Sequence, residues 1–164
     1  MDLRERDWWN YLEHDLQELI SLSFYLEDRI ASWEEKFHDY AFIVFPAAKA
    51  YEGFLKKIFL DLGLIDEGDY FGKHFRIGKA LNPNLEKKYR NNSWVYGKLV
   101  DMLEGHELPD KLWDTWKDSR NQIFHWFPNE QNTINKDEAH IRLGKIVSAI
   151  DELYELCKMK LERK

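Results

Sequence analysis

An apolar stripe near the amino terminus, with alternating spacings of three and four residues, constrains the fold more than any other feature of the sequence. Residues at these spacings lie on one face of an α-helix, and such a stripe is typical of a helix packed in an antiparallel bundle. The pattern continues for about eight turns and predicts a first helix that runs the length of the molecule. Its members are Trp9, Leu12, Leu16, Leu19, Ser23, Leu26, Ile30, Trp33 and Phe37.

Four further helices are predicted from apolar periodicity and from residues that start or stop helices. Gly63 stands where the second helix should end, and Pro109 where the fourth should begin. Asn135 and Glu138 resemble a capping box at the start of the last helix. The glycine-rich segment 63–84 is expected to be a long loop with at most one short helical turn. The predicted helices cover residues 40–62, 85–104, 109–126 and 136–162.

Strand signals are weak along the whole chain, so the expected fold class is all-α. A chain of 164 residues suits one domain with a single core, and no linker is long enough to divide it. Its 44% hydrophobic and 33% charged content is typical of a globular protein. We therefore expect one domain, 1–164, built as an up-and-down bundle of four main helices plus a short or extra helix.

Several protein classes are disfavoured by simple features of the sequence. The single Cys157 excludes an intrachain disulfide and a cysteine-based zinc site. The histidines show no metal-ligand spacing such as HExxH, so neither a metal nor another cofactor is expected. The charged amino terminus lacks a signal-like apolar core, and the longest uncharged apolar run, 41–48, is too short to span a bilayer. A cytoplasmic protein with no membrane partner is expected.

Charge is distributed unevenly along the chain. The net charge of −6 argues against a broad, non-specific nucleic-acid binder. Residues 1–40 contain eleven acidic and four basic residues, whereas residues 73–90 contain six lysines and arginines against Glu86 alone. The second segment is compatible with a phosphate backbone; a solvated basic loop is the alternative interpretation.

The predicted fourth helix carries an arginine on its apolar stripe, at position 120. An arginine on a core-facing stripe is unfavourable unless a carboxylate or an anion meets it. Asn121 and His125 are four residues apart, so we expect them to share a helix face beside Arg120. The apolar members of the stripe are Trp113, Trp116, Ile123 and Phe127.

These three residue types suit phosphodiester chemistry. A guanidinium matches phosphate oxygens, and an imidazole exchanges a proton near neutral pH. The amide of Asn121 would orient the imidazole or donate to a phosphate oxygen, and RNA supplies its own nucleophile, the 2′-hydroxyl. Spacing alone also fits a structural interpretation, in which Arg120 at a helix end pairs with a carboxylate and His125 is half-buried and satisfied.

The segment Arg120-Asn121-Gln122-Ile123-Phe124-His125 fits the R-N-x-x-x-H form of the signature of HEPN domains, the higher eukaryote and prokaryote nucleotide-binding domains. The chain resembles this family in its architecture throughout, with the motif on the penultimate helix. A second segment, Ala50 to Phe59, resembles the second helix of HEPN toxins related to the C-terminal domain of the RNase LS toxin. An acidic residue there faces the Arg/His motif, and Glu52 is the matching position.

The resemblance implies that Glu52 pairs with Arg120 or influences the protonation state of His125. The alternative is that Glu52 is a plain surface residue of an amphipathic helix. The implied catalytic set is thus Arg120, Asn121, His125 and Glu52. Lysines and arginines of the second helix and of the basic segment are the implied RNA contacts. These are Lys49, Lys56, Lys57, Lys73 and Arg76.

The activity implied by the resemblance is that of a metal-independent RNA endonuclease, acting as a toxin or a phage-defence effector. The family typically forms two-fold dimers whose two motifs line one cleft, and cleavage leaves a 2′,3′-cyclic phosphate. The implied partners are an RNA substrate, a second copy of the chain and a protein antitoxin. HEPN toxins that pair with a nucleotidyltransferase antitoxin often carry a tyrosine two residues after the histidine. Phe127 occupies that position here, which argues against such a pairing.

Two functions from other classes compete with the ribonuclease hypothesis. One is a non-catalytic helical module for binding or dimerisation, such as an antitoxin-like or nucleotide-sensing partner, in which Arg120 and His125 are structural. The other is a coiled-coil dimeriser, which would account for the long first helix but for nothing in residues 120–125. The retention of all three polar motif residues favours the enzyme.

Overall fold

The computed structural model of the chain describes residues 2–30, 32–126, 128 and 132–161. These residues are helical or irregular and contain no strand, in agreement with the predicted all-α class. Short 3₁₀ turns form at Leu3–Glu5, Trp9–Tyr11 and Lys87–Tyr89. The α-helices are α1 His14–Ile30, α2 Ala41–Asp61, α3 Glu67–Phe71, α4 Ile77–Ala80, α5 Val95–Leu103, α6 Glu107–Trp116 and α7 Lys136–Leu161.

Helix α2 is the centre of the molecule and contacts α1, α6 and α7. It is apolar on most sides, and its fully buried side chains include Val44, Phe54 and Phe59. Burying each such side chain stabilises the fold by roughly 1.5–3 kcal/mol. The helix ends where predicted, because Gly63 adopts a left-handed φ of 70° and the amide of Leu64 donates to the carbonyl of Phe59 at 2.8 Å.

Pro46 lies inside α2 and explains a polar residue in the core. Proline has no backbone N–H and disrupts the local ladder of helical hydrogen bonds. The amide of the next residue, Ala47, donates to Ser23 Oγ of α1 at 2.8 Å. Ser23 is completely buried, so its hydroxyl satisfies a backbone donor where an apolar side chain could not.

The predicted first helix is too long at both ends. Helix α1 covers His14–Ile30, and Trp33 and Phe37 lie beyond it in irregular chain. Before α1, Leu12 is extended, with φ −68° and ψ 142°. Trp8 is buried, and its indole donates to Asp151 of α7 at 2.5 Å. Trp8 is therefore buried without a continuous helix, whereas Trp33 and Phe37, beyond the end of α1, remain 41% and 40% exposed.

The predicted third helix, 85–104, is also too long, because α5 begins only at Val95. The amide of Ser93 donates to Asn91 Oδ1 at 3.1 Å, and this local bond favours a turn over a helix. Segment 63–84 contains two short helices, α3 and α4, instead of at most one turn.

Helix α7 begins as the sequence predicts. The amide of Asn135 donates to Glu138 Oε2 at 2.8 Å, and the amide of Glu138 donates to Asn135 Oδ1 at 2.9 Å. This is the reciprocal capping box. The last described residue of the helix is Leu161, and the predicted end at 162 lies outside the described residues. None of the helices in the described ranges is long and apolar enough to cross a membrane.

Candidate functional site

The helix that carries the Arg/His motif ends before it reaches His125. After α6 the chain makes a π-helical turn, Lys117–Asn121, in which the amide of Gln122 donates to the carbonyl of Lys117 at 3.0 Å. His125 is exposed in irregular chain. The predicted helix 109–126 is therefore wrong at its end, and Asn121 and His125 do not share a helix face.

A buried serine lies inside the π-helical turn. Ser119 is completely buried, and its hydroxyl donates to the carbonyl of Thr115 at 2.6 Å. A hydroxyl bonded to the carbonyl four residues earlier bends a helix. Short π-helical turns occur mostly inside longer helices and often at functional sites. Here the turn carries Arg120.

Arg120 forms an ion pair with Glu52 of α2. The distance from Arg120 Nε to Glu52 Oε1 is 2.9 Å, and the two side chains are 38% and 26% exposed. The same carboxylate oxygen accepts a hydrogen bond from Trp116 Nε1 at 2.9 Å. The resemblance implied either this ion pair or an influence of Glu52 on His125. It is the ion pair that forms, and it supplies the carboxylate that a partly buried arginine requires.

Trp116 packs against the ion pair of Arg120 and Glu52. It is 8% exposed, and the guanidinium carbon of Arg120 lies 5.9 Å from the centre of its ring. Its indole stacks on Trp113, with ring centres 5.5 Å apart and planes at 19°. A Cβ atom at Gly78 of α4 would lie 2.2 Å from the Trp116 ring, so the missing side chain at this glycine leaves room for the indole.

His125 lines a cavity of about 340 Å³ together with His38. The carbonyl of His125 accepts a hydrogen bond from Asn132 Nδ2 at 2.9 Å. Asp39, also in the lining, caps the start of α2 by accepting from the amide of Ala41 at 2.9 Å. In the described part of the chain, neither Arg120 nor Glu52 lines this cavity. Because the chain is not helical after Asn121, the guanidinium, amide and imidazole do not share one turn of helix as expected.

Three features of this region were not predicted from the sequence. Trp116 was placed on the same apolar stripe as Arg120, but its hydrogen bond to Glu52 was not expected. His38 and Gly78 gave no signal, since each meets its partner only through the tertiary structure.

The lysines of α2 that were predicted to contact RNA have different surroundings. Lys49 is exposed and, with Glu52 and Lys56, lines a groove of about 570 Å³ between α1 and α2. Lys56 Nζ donates to the carbonyl of Tyr70 at 2.9 Å. Lys57 lies 3.4 Å from Asp61 and is only 24% exposed. Lys49 is thus the most accessible of the three.

The two predicted contacts in the basic segment, Lys73 and Arg76, are both exposed. Arg76 Nη1 donates to the carbonyls of Lys73 and Phe75, and these bonds hold the guanidinium close to the backbone. Phe127, whose identity bears on antitoxin pairing, lies outside the described residues.

Comparisons with known proteins identify no relative of this chain: no protein-family model, no curated protein and no solved structure matches it.

Proposed function

We propose that this chain is a metal-independent RNA endonuclease with a HEPN-like bundle, acting as a toxin or phage-defence effector. The observation that carries the proposal is the position of Arg120. Its side chain is ion-paired with Glu52 and is 38% exposed. Glu52 and Trp116 restrict its orientation, and its exposed part is available to a phosphate. Arginine is suited to this role because its planar donors match phosphate oxygens.

The proposed reaction needs no nucleophile from the protein. The 2′-oxygen of a ribose attacks the adjacent phosphorus, the bond from phosphorus to the 5′-oxygen breaks, and a 2′,3′-cyclic phosphate and a 5′-hydroxyl result. One group must accept the proton of the 2′-hydroxyl, and another must give a proton to the leaving oxygen. His125 and His38 line one cavity and are the groups to which we assign these two transfers. Asn121, exposed at the end of the π-helical turn, would donate to a phosphate oxygen.

We infer that the active form is a homodimer. Within one copy Arg120 does not line the cavity of His125, and two copies related by a two-fold axis would place both groups around one cleft. Large aromatic side chains near that cavity support this inference, because clustered exposed aromatics often mark interfaces. Phe45 is 53% exposed and contacts the ring of Phe124, and Trp126 is 83% exposed.

The test is incubation of the purified protein with a structured RNA in excess EDTA, with product ends determined by mass spectrometry. We expect cyclic-phosphate ends from the wild type and none from His125→Ala or Arg120→Ala. His14→Ala is the matched control, since His14 is an exposed histidine on α1 that does not line the cavity of His125. Cleavage that persists in His125→Ala would show that a contaminating nuclease or another site is responsible.

A non-catalytic binding or dimerisation module is the second candidate. Two observations favour it: the Arg120 and Glu52 charges neutralise each other, and His125 lies in a separate cavity. In that case the wild type would not cleave RNA under any of these conditions, although the dimer would form. A protein antitoxin that covers the cleft is compatible with either function.

A further inference from the structure

A second cavity, of about 220 Å³, lies between α4 and the chain that leads into α5. None of the residues assigned to catalysis lines it, and of the predicted RNA contacts only Arg76 does. Cavities for drug-sized ligands usually measure roughly 300–1,000 Å³. At about 220 Å³ this cavity lies below that range, so it suits one small ligand or one residue of a longer chain rather than a helix or a strand.

The wall of this cavity is basic in a chain that is acidic overall. Arg76 and Lys79 supply its positive charges, and the imidazole of His74 also lines it. Asp69 is the acidic residue of the lining, and its Oδ2 already accepts a hydrogen bond from Ser93 Oγ at 2.7 Å. Such a local excess of cationic groups raises the concentration of anions at the cavity.

The same cavity has aromatic surface. Phe75 and Trp94 belong to the lining. The Trp94 ring is held in place, because its Nε1 donates to the carbonyl of Asn82 at 3.0 Å and the guanidinium of Arg90 lies 4.1 Å from the ring centre. Aromatic rings beside cationic side chains bind nucleic-acid bases while the cations bind the phosphate. Because Arg90 covers one face of the Trp94 ring, a base would contact the part of the ring that faces the cavity.

We propose that this cavity binds one phosphorylated nucleoside, either as a residue of an RNA strand or as a free mononucleotide. The phosphate contacts Arg76 and Lys79, and the base contacts the aromatic wall. The inference rests on the proposed function in one respect: an RNA residue bound here would belong to the substrate. Helix α4 separates the cavity from the catalytic region, because its Gly78 faces Trp116 while Lys79 and Ala80 line the cavity.

The test is a titration of the isotope-labelled full chain, in which the amide and indole NMR signals are measured at each ligand concentration. The probes are adenosine 5′-monophosphate, uridine 5′-monophosphate, inorganic phosphate and adenosine. We expect both mononucleotides to shift the signals of residues 73–80, residues 91–94 and the Trp94 indole, and to bind about tenfold more tightly than phosphate or adenosine alone. Equal binding of inorganic phosphate would overturn the proposal, as would unchanged signals for these residues at millimolar mononucleotide.

Variants separate a specific phosphate contact from general attraction. Lys79→Ala should weaken mononucleotide binding about tenfold, which corresponds to the loss of one charge-assisted contact. Lys87→Ala is the matched control, because Lys87 is exposed in the same basic segment but does not line the cavity. An equal loss in both variants would contradict the assignment.

A short oligoribonucleotide, added to the His125→Ala chain, distinguishes the two sources of the ligand. Shifts of the same signals at lower concentration than with mononucleotide indicate an RNA residue, whereas shifts with mononucleotide alone indicate a free nucleotide. Neither readout requires cleavage. A chain that binds mononucleotide without cleaving RNA would retain this inference and lose the proposed function, and a chain that cleaves without binding would do the reverse.

Discussion

At the scale of single residues, Glu52 contacts two side chains through one carboxylate oxygen. Its Oε1 lies 2.9 Å from both Arg120 Nε and Trp116 Nε1. A partly exposed ion pair contributes little by itself, about 0–1 kcal/mol. A buried indole N–H without an acceptor costs more, about 1–3 kcal/mol. The hydrogen bond to Trp116 is therefore expected to dominate the contribution of Glu52 to stability.

We accordingly expect Glu52→Ala to lower the free energy of unfolding by about 1–3 kcal/mol, and Glu52→Gln, which keeps an acceptor, by about 1 kcal/mol or less. Urea denaturation monitored by circular dichroism measures both. Glu18→Ala, at an exposed position on α1, serves as the control. Equal effects of the alanine and glutamine changes would show that charge, rather than the indole bond, is what matters.

Tyr96 provides a prediction about pH. Burial, reinforced by a hydrogen bond from its hydroxyl to Asp110 Oδ1 at 2.6 Å, raises the pKa of Tyr96 from 10.0 to about 12. Between these values the unfolded chain releases the phenolic proton and the folded chain keeps it. The contribution of Tyr96 to stability is therefore complete below pH 10 and is lost as the pH rises towards 12.

Between pH 10 and pH 12, the free energy of unfolding should fall less steeply in Tyr96→Phe than in the wild type. The comparison of the two proteins is necessary because burial also raises the pKa of Tyr11, Tyr51 and Tyr70. Thermal unfolding at closely spaced pH values measures the slopes. Parallel curves would mean that the Tyr96 hydroxyl has the same pKa in the folded and unfolded chains.

At the scale of helices, two glycines have opposite surroundings. Gly78 of α4 faces the Trp116 ring so closely that an added Cβ would lie 2.2 Å from it, whereas a Cβ at Gly144 of α7 would have no neighbour within 4 Å. Gly78 therefore permits α4 and α6 to approach each other. Gly144 has no such packing requirement, and a glycine within a helix weakens that helix relative to alanine.

We expect Gly78→Ala to destabilise the fold by about 1–3 kcal/mol and to displace the Trp116 indole from Glu52. Gly144→Ala should stabilise it by about 0.5–1 kcal/mol. Denaturation gives both energies, and the indole NMR signal of Trp116 reports the displacement. An unchanged Trp116 signal in Gly78→Ala would contradict the role assigned to α4.

The helix boundaries show which local signals are dependable. The ends of α2 and the start of α7 were predicted because Gly63, Asn135 and Glu138 act through neighbouring backbone groups. The start of α1 and the end of the helix before His125 were not. Trp8 is buried against α7 without being helical, and the π-helical turn interrupts the apolar pattern before His125. Periodicity records which side chains are apolar, but it does not record whether a helix or a distant element buries them.

At the scale of the whole molecule, the exposed aromatic side chains near the cavity of His125 bear on the proposed homodimer. Phe45→Glu should shift a dimer towards monomer, because a buried, unpaired charge opposes association. Phe71→Glu, at a position 76% exposed elsewhere on the surface, is the matched control. Sedimentation velocity at micromolar concentration measures both. A wild-type chain that is strictly monomeric would remove the basis for a composite cleft.

The all-α class, the central apolar helix and the capping of α7 could be predicted from the amino-acid sequence alone. These follow from composition, periodicity and local hydrogen bonds, which act over a few residues. The tertiary structure alone decided that Arg120 meets Glu52 and Trp116, that His125 shares a cavity with His38, and that a basic, aromatic cavity forms beside α4. Such contacts join residues far apart in the chain, and they depend on how helices pack rather than on which residues are adjacent in sequence.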